Sequence, residues 1–271
     1  MDLSKITIKD IALLINTTED DLIRLSEKAP HMYYSRKRRK PNGEYRNIET
    51  PHDHLKKIQK ILLDQLLSKL QFDPILFGGK GSSTKKAVRR HTRKPLVMTM
   101  DIKDFFPNVK SHKVRRMFLS RGAKRNVADL LTRLVTRKNH LPQGAPTSPC
   151  IARLVLDPVT KDLKKAIQSM GAKEKPSIWV DDVIISGARG LKRSKKTLIS
   201  IFNRYGFQIP EEKIKTMPKI QEQVSLGIKL NDGIAVPLRY FQKYEAECKQ
   251  LGPSSARCKG MRANIKNLEK V

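Results

Sequence analysis

The chain has 271 residues, with 56 Lys and Arg against 26 Asp and Glu, a net charge of +30. That length can bury a real core. Positive charge spread along the whole chain points to a polyanionic partner, nucleic acid first, and says little about fold. No apolar run approaches the roughly 18 residues of a spanning helix, and Met1-Asp2-Leu3-Ser4-Lys5 has no signal-peptide pattern. A cytoplasmic protein with no membrane partner is therefore expected, and sparse cysteine suits a reducing compartment.

In chain order, Ile8, Ile11, Ala12 and Ile15 recur at helical spacing. Thr18 with Asp21 resembles a capping pattern and opens a second helix that runs to Lys28, before Pro30. Ser35 to Glu44 holds five consecutive cations and then Pro41-Asn42-Gly43, which predicts an exposed hairpin or loop able to contact phosphates. After Pro51, the residues Leu55, Ile58, Ile61, Leu62, Leu66 and Leu70 share one face of an amphipathic helix. Phe77 to Ser83 is a glycine-rich loop centred on Lys80; it lacks the spacing of a Walker loop. Lys85 to Arg93 adds further positive charge.

Leu96 to Asp101 is an apolar run that ends in a carboxylate, read as a buried strand. Residues 112–138 read as two basic helices parted at Gly122, and Leu141 to Pro149 as an ordered turn. Ser148 is expected to cap, and Pro149 to start, a helix through Ile167. Ile178 to Ser186 reads as strand, tight turn, strand, with Asp181 and Asp182 at the turn. A basic helix is predicted at 192–204, then a turn and strand over Gly206 to Ile209, then Lys213. A hairpin is expected around Asn231-Asp232-Gly233. Two basic helices, broken at Gly252 to Ser255, end the chain. Cys150, Cys248 and Cys258 form no close Cys-x-x-Cys; a zinc site from Cys248, Cys258 and a distant His is the one metal alternative they allow.

Adjacent aspartates repel unless a cation lies beside them. If the Asp101 strand neighbours the Asp181-Asp182 turn, three carboxylates meet at one sheet edge. They could then hold two Mg²⁺ ions on the order of 4 Å apart, the arrangement for in-line phosphoryl transfer. A solvated surface turn is the plain alternative for the Asp pair.

The order of these motifs resembles a reverse transcriptase of the bacterial retron type. Met100 to Phe106 resembles its first catalytic block, Leu141 to Pro149 its nucleotide-binding block, and Trp179-Val180-Asp181-Asp182 its aromatic-x-Asp-Asp box. Gly206-Phe207 with Lys213, and then Leu226-Gly227, resemble the two blocks that follow. The resemblance implies an α+β right-hand polymerase. Residues 1–94 would be N-terminal helices and fingers. Residues 95–236 would be an antiparallel-sheet palm with a fingers segment at about 114–140, and 237–271 a short basic helical thumb.

It further implies that Asp101, Asp181 and Asp182 bind two Mg²⁺ ions, for which Mn²⁺ can substitute. Phe106 would be the steric gate against a ribose hydroxyl; a plain core aromatic is the alternative. Gln143 would hold the incoming dNTP, Lys213 would protonate pyrophosphate, and Lys80 would reach the triphosphate. The implied activity is RNA-directed DNA synthesis from dNTPs in a retron or anti-phage defence system. Its partners would be an RNA template and primer, with a structured non-coding RNA, its DNA copy and an effector protein as candidates. Two other readings stay open: an RNA-binding module with the polymerase shape but no catalysis, and untemplated or protein-primed addition. The chain departs from the retron pattern at Trp179, where Tyr or Phe is usual. It departs again at Ala87 to His91, where only the His agrees with the family element, and at Val224-Ser225.

Overall fold

The computed structural model describes residues 2–39, 43–79, 81–169 and 176–269. Lys80 lies outside them. The chain divides into two compact units, residues 1–79 with 103–158, and residues 80–102 with 159–271.

The first unit is mostly helical. Helices Ile8–Leu14 and Glu19–Lys28 come first, and the hydroxyl of Thr18 accepts the Asp21 N–H at 3.2 Å, as the capping pattern implies. Strands Tyr33–Arg39 and Tyr45–Pro51 then pair antiparallel from Tyr33 opposite Pro51 to Arg39 opposite Tyr45, so Arg36 to Arg39 of the cationic run are exposed on a strand; Lys40, Pro41 and Asn42 of the expected loop lie outside the described residues. Helix Asp53–Gln65 buries Leu55, Ile58 and Leu62. Helices Ser111–Ser120 and Arg125–Val135 bury Val114, Met117, Phe118, Val127, Leu130, Leu131 and Leu134. Between them Gly122 has φ +90°, a conformation that side-chain-bearing residues avoid.

One expectation here is corrected. The Ser148 hydroxyl does not cap the helix Ser148–Ser169; it donates to the carbonyl of Pro142 at 2.7 Å. The freed helix N–H groups of Cys150 and Ile151 bond instead to the Thr147 carbonyl.

The second unit is built on a sheet. In spatial order the strands are Ser177–Trp179, Asp182–Gly187, Leu96–Asp101 and Lys215–Pro218, each antiparallel to the next. The two middle strands are buried on both faces, which is why they read as apolar runs without alternation. Beneath them Val88, Val97, Ile184, Ile228, Leu230, Val236, Ile265 and Leu268 form one core, flanked by Tyr240, Phe241 and Tyr244. The C-terminal helices Leu238–Leu251 and Ala256–Glu269 thus share the core of the sheet.

Three details differ from expectation. Gly206 to Ile209 forms no strand: Phe207 and Ile209 are buried in an irregular segment that leads to Pro210, and the paired strand is Lys215–Pro218. The tight hairpin turn is Leu226-Gly227, with φ +49° and +73°, which joins Val224–Ser225 to Ile228–Lys229. The chain does also reverse at Asn231-Asp232-Gly233 as expected, but through a wider loop, across which Lys229 and Ala235 form an antiparallel bridge with backbone bonds of 2.8 and 3.0 Å. Last, Cys248 and Cys258 are joined as a disulfide with Cα atoms 5.7 Å apart, and Cys150 is a buried free thiol. The zinc alternative therefore loses its two thiolates. Among the described residues no helix is long and apolar enough to cross a membrane.

Candidate active site

The site begins with strand register. Asp101, the last residue of its strand, lies directly opposite Asp182, the first of the neighbouring strand. The N–H of Ile102 donates to the Asp181 carbonyl at 3.0 Å and locks the turn against the end of the first strand. Two carboxylates so placed are cross-strand neighbours, and like charges directly opposite one another destabilise a sheet.

The turn itself is forced. Val180 has φ +58°, an outlier for a β-branched residue, and it falls between Trp179 and the two aspartates. Strain of this kind persists only where the surroundings impose it, and it concentrates at functional sites.

Electrostatics carry the same message. The carboxyl of Asp182 is pushed up to about 6, first by burial and then by the charges of Asp181 and Asp101. Lys213 and Lys215 oppose that rise. The Lys213 ammonium lies 2.7 Å from Oδ1 of Asp101. Among the described residues, no three or more Asp, Glu, His or Cys side chains are placed so that together they could hold a metal ion. The donor set nevertheless suits hard divalent cations. It is all oxygen, and burial together with the charges of Asp181 and Asp101 makes the Asp182 carboxylate costly to ionise despite Lys213 and Lys215, a cost that a cation would relieve.

A buried histidine underpins these strands. His91 is fully buried; its Nδ1 lies 2.8 Å from the Ser186 hydroxyl and its Nε2 3.0 Å from the Ser177 hydroxyl. Ser177 donates its own proton to the Ala87 carbonyl at 2.7 Å, so it accepts from Nε2–H, and Nδ1 accepts from Ser186. Neutral imidazole thus ties together the two strands that flank the Asp181-Asp182 turn.

Two further expected residues belong to the first unit. Of the adjacent pair Phe105 and Phe106, with ring centroids 5.6 Å apart, Phe105 is the buried core aromatic and Phe106 is half-buried. They follow Asp104, which has φ +44°. Gln143 is half-buried in a loop whose backbone is held from two sides. The Ser148 hydroxyl binds the Pro142 carbonyl, and the Glu49 N–H donates to the Gln143 carbonyl at 2.9 Å.

Comparison with known proteins gives this arrangement its context. The family model of the reverse transcriptase (RNA-dependent DNA polymerase) matches residues 38–250. The chain belongs to the reverse transcriptase family. Within it the resemblance is to the bacterial retron type. It is 29% identical to the Retron Ec86 reverse transcriptase of Escherichia coli over 214 residues, covering 78% of this chain and 63% of that protein. It is 27% identical to the Retron Mx65 reverse transcriptase of Myxococcus xanthus over 256 residues, covering 84% and 60%. With the Retron Se72 reverse transcriptase of Salmonella heidelberg (strain 579083-10) it shares 32% over 182 residues, covering 64% and 47%. The chain therefore spans between about half and two thirds of these relatives' length. Apo telomerase from Candida tropicalis, truncated from its C-terminal domain, shares the fold at 12% identity. Its TM-score is 0.51, over 82% of this chain and 61% of that one.

As a reverse transcriptase, the chain has the right-hand polymerase fold, and the antiparallel sheet of its second unit carries the acidic edge. Glu49 and the serines that hold His91 gave no sign in the sequence. Each acts through a partner distant in the chain, and a lone Glu or Ser has no spacing to betray it.

Proposed function

We propose that this chain is an RNA-directed DNA polymerase that extends a primer from dNTPs, with Asp101, Asp181 and Asp182 as its metal ligands. The observation that carries the reading is the register of Asp101 opposite Asp182 at one sheet edge, with Asp181 in the adjoining turn. Two Mg²⁺ ions held there, or Mn²⁺ in their place, would supply charge neutralisation at the triphosphate and acidify the primer 3′-hydroxyl.

The chain's own residues have separate tasks. Phe106 packs against the sugar and excludes a 2′-hydroxyl. Its half-exposed ring suits this, since Phe105 already fills the core position. Gln143 orients the incoming nucleotide from a backbone pinned at Pro142 and Gln143. Lys213 offers a proton to the leaving pyrophosphate from beside Asp101. Lys80, outside the described residues, is assigned to the triphosphate by resemblance alone. In this reading residues 1–94 and about 114–140 serve as fingers, the rest of 95–236 as palm, and 237–271 as a short thumb. The template would be a structured non-coding RNA, as the retron relatives suggest, and the setting a cytoplasmic defence system with an effector protein.

The test is primer extension on a defined RNA template with Mg²⁺ and dNTPs. Asp181→Asn should lower the rate by about a thousandfold or more while primer–template binding persists. Vigorous extension by that variant would overturn the ligand assignment. Sequencing the product separates templated copying from untemplated or protein-primed addition.

A further inference from the structure

Within the first unit, Arg137 and His140 are joined by a two-residue turn. The N–H of each donates to the carbonyl of the other, at 2.8 and 2.9 Å, with Lys138 and Asn139 at φ +42° and +63°. This turn geometry sets the two side chains next to each other. The Glu49 carboxylate receives both. Arg137 donates to Oε1 at 2.8 Å, and the His140 Nε2 lies 2.6 Å from Oε2. The cluster is shielded, with the Glu49 side chain 6% and the Arg137 side chain 11% exposed.

Glu49 also touches the nucleotide-binding loop through its backbone. Its N–H holds the Gln143 carbonyl at 2.9 Å, and its own carbonyl oxygen would lie 3.0 Å from a Cβ placed on Gly144, where φ is +139°. Arg137 reaches further, to the Ser35 hydroxyl and over the ring of Tyr33 at 5.6 Å. Gln59, fully buried, donates to Tyr33 Oη and to the Leu134 carbonyl, each at 2.8 Å. One residue thus fixes the turn that leads into the loop and also the loop's own peptide. A buried carboxylate is unfavourable unless so matched, and such groups serve geometric specificity better than stability.

We propose that Glu49 is a positioning residue for the incoming dNTP. Its ion-paired carboxylate holds the Arg137–His140 turn, and its peptide holds Gln143 at the height and angle needed to meet the nucleotide. This inference rests on the reading of Gln143 as a dNTP contact.

The test uses the full chain and measures dNTP KM, kcat and primer–template Kd side by side. Glu49→Gln keeps the peptide and the shape but loses the charge. It should raise dNTP KM about tenfold, with kcat and primer–template Kd within about twofold. Arg137→Lys keeps the charge but loses the fork, and should shift KM in the same direction by a smaller factor. If Glu49→Gln does not melt cooperatively, the Lys variant decides. Unchanged KM, or equal losses in KM, kcat and template binding, overturns the positioning role while leaving the polymerase intact. Absence of extension by the unaltered chain overturns the polymerase reading, and this inference with it.

Discussion

Lys213 is bound to Asp101, its ammonium 2.7 Å from the carboxylate that ends the central strand. It offsets part of the charge of the acids there, and under the proposed role it would also protonate the leaving group. Lys213→Met should slow single-turnover incorporation by about a hundredfold and flatten the alkaline limb of its pH profile. Lys213→Met, which strips a competing cation from Asp101, should tighten metal binding; Lys213→Arg restores the positive charge but cannot release its proton, so it should return metal affinity to the parent level without recovering the rate. Measuring both variants across pH 6 to 10 checks this; full activity in the Arg variant would remove Lys213 from proton transfer.

His91 sets an acid limit on stability. Burial, and then the positive charges of Arg90 and Lys94, push it down to about 3 from 6.5. The unfolded chain therefore binds the proton that the folded chain refuses. Stability is complete above pH 6.5 and falls as the pH drops from there toward about 3. The loss from this residue alone should reach about 2–3 kcal/mol near pH 4.5. Urea titrations at several pH values should show this slope in the parent chain and a flatter one in His91→Gln, at lower overall stability.

The gate proposed at Phe106 makes a prediction about sugar choice. Phe106→Ala should admit ribonucleotides, narrowing the preference for dNTP over rNTP by about a hundredfold, since shape alone enforces such a preference. Phe105→Ala should instead lower the melting temperature, because that ring is the one in the core. Competitive incorporation with paired dNTP and rNTP distinguishes the two. Unchanged discrimination in Phe106→Ala would return that ring to a packing role.

The elements that read correctly were those whose signal is local. The strand Leu96–Asp101 announced itself as an apolar run ending in acid, Asp182–Gly187 as an apolar run that begins with one, and the helix Asp53–Gln65 by its spaced leucines and isoleucines. What failed was decided by distant partners. Phe207 and Ile209 have strand-like character but bury themselves beside Pro210 without a ladder to join. Ser148 has the chemistry of a cap, yet its hydroxyl donates to the Pro142 carbonyl. The Cys248–Cys258 pairing depends on a helix reversal that brings residues ten apart together, and no short cysteine motif marks it. The aspartates could be grouped from their places at a strand end and a turn, conditional on the two strands being neighbours, and the order of whole blocks then pointed to a known enzyme family.

The pairing of Asp101 with Asp182 makes alignment between two strands a chemical variable. Neighbouring side chains on a strand point to opposite faces. Deleting or inserting one residue in either strand would preserve every acid and most of the apolar content, yet turn one acid away from its fellow. For this chain, lengthening or shortening these strands by a single step should therefore be as damaging to catalysis as removing a carboxylate outright.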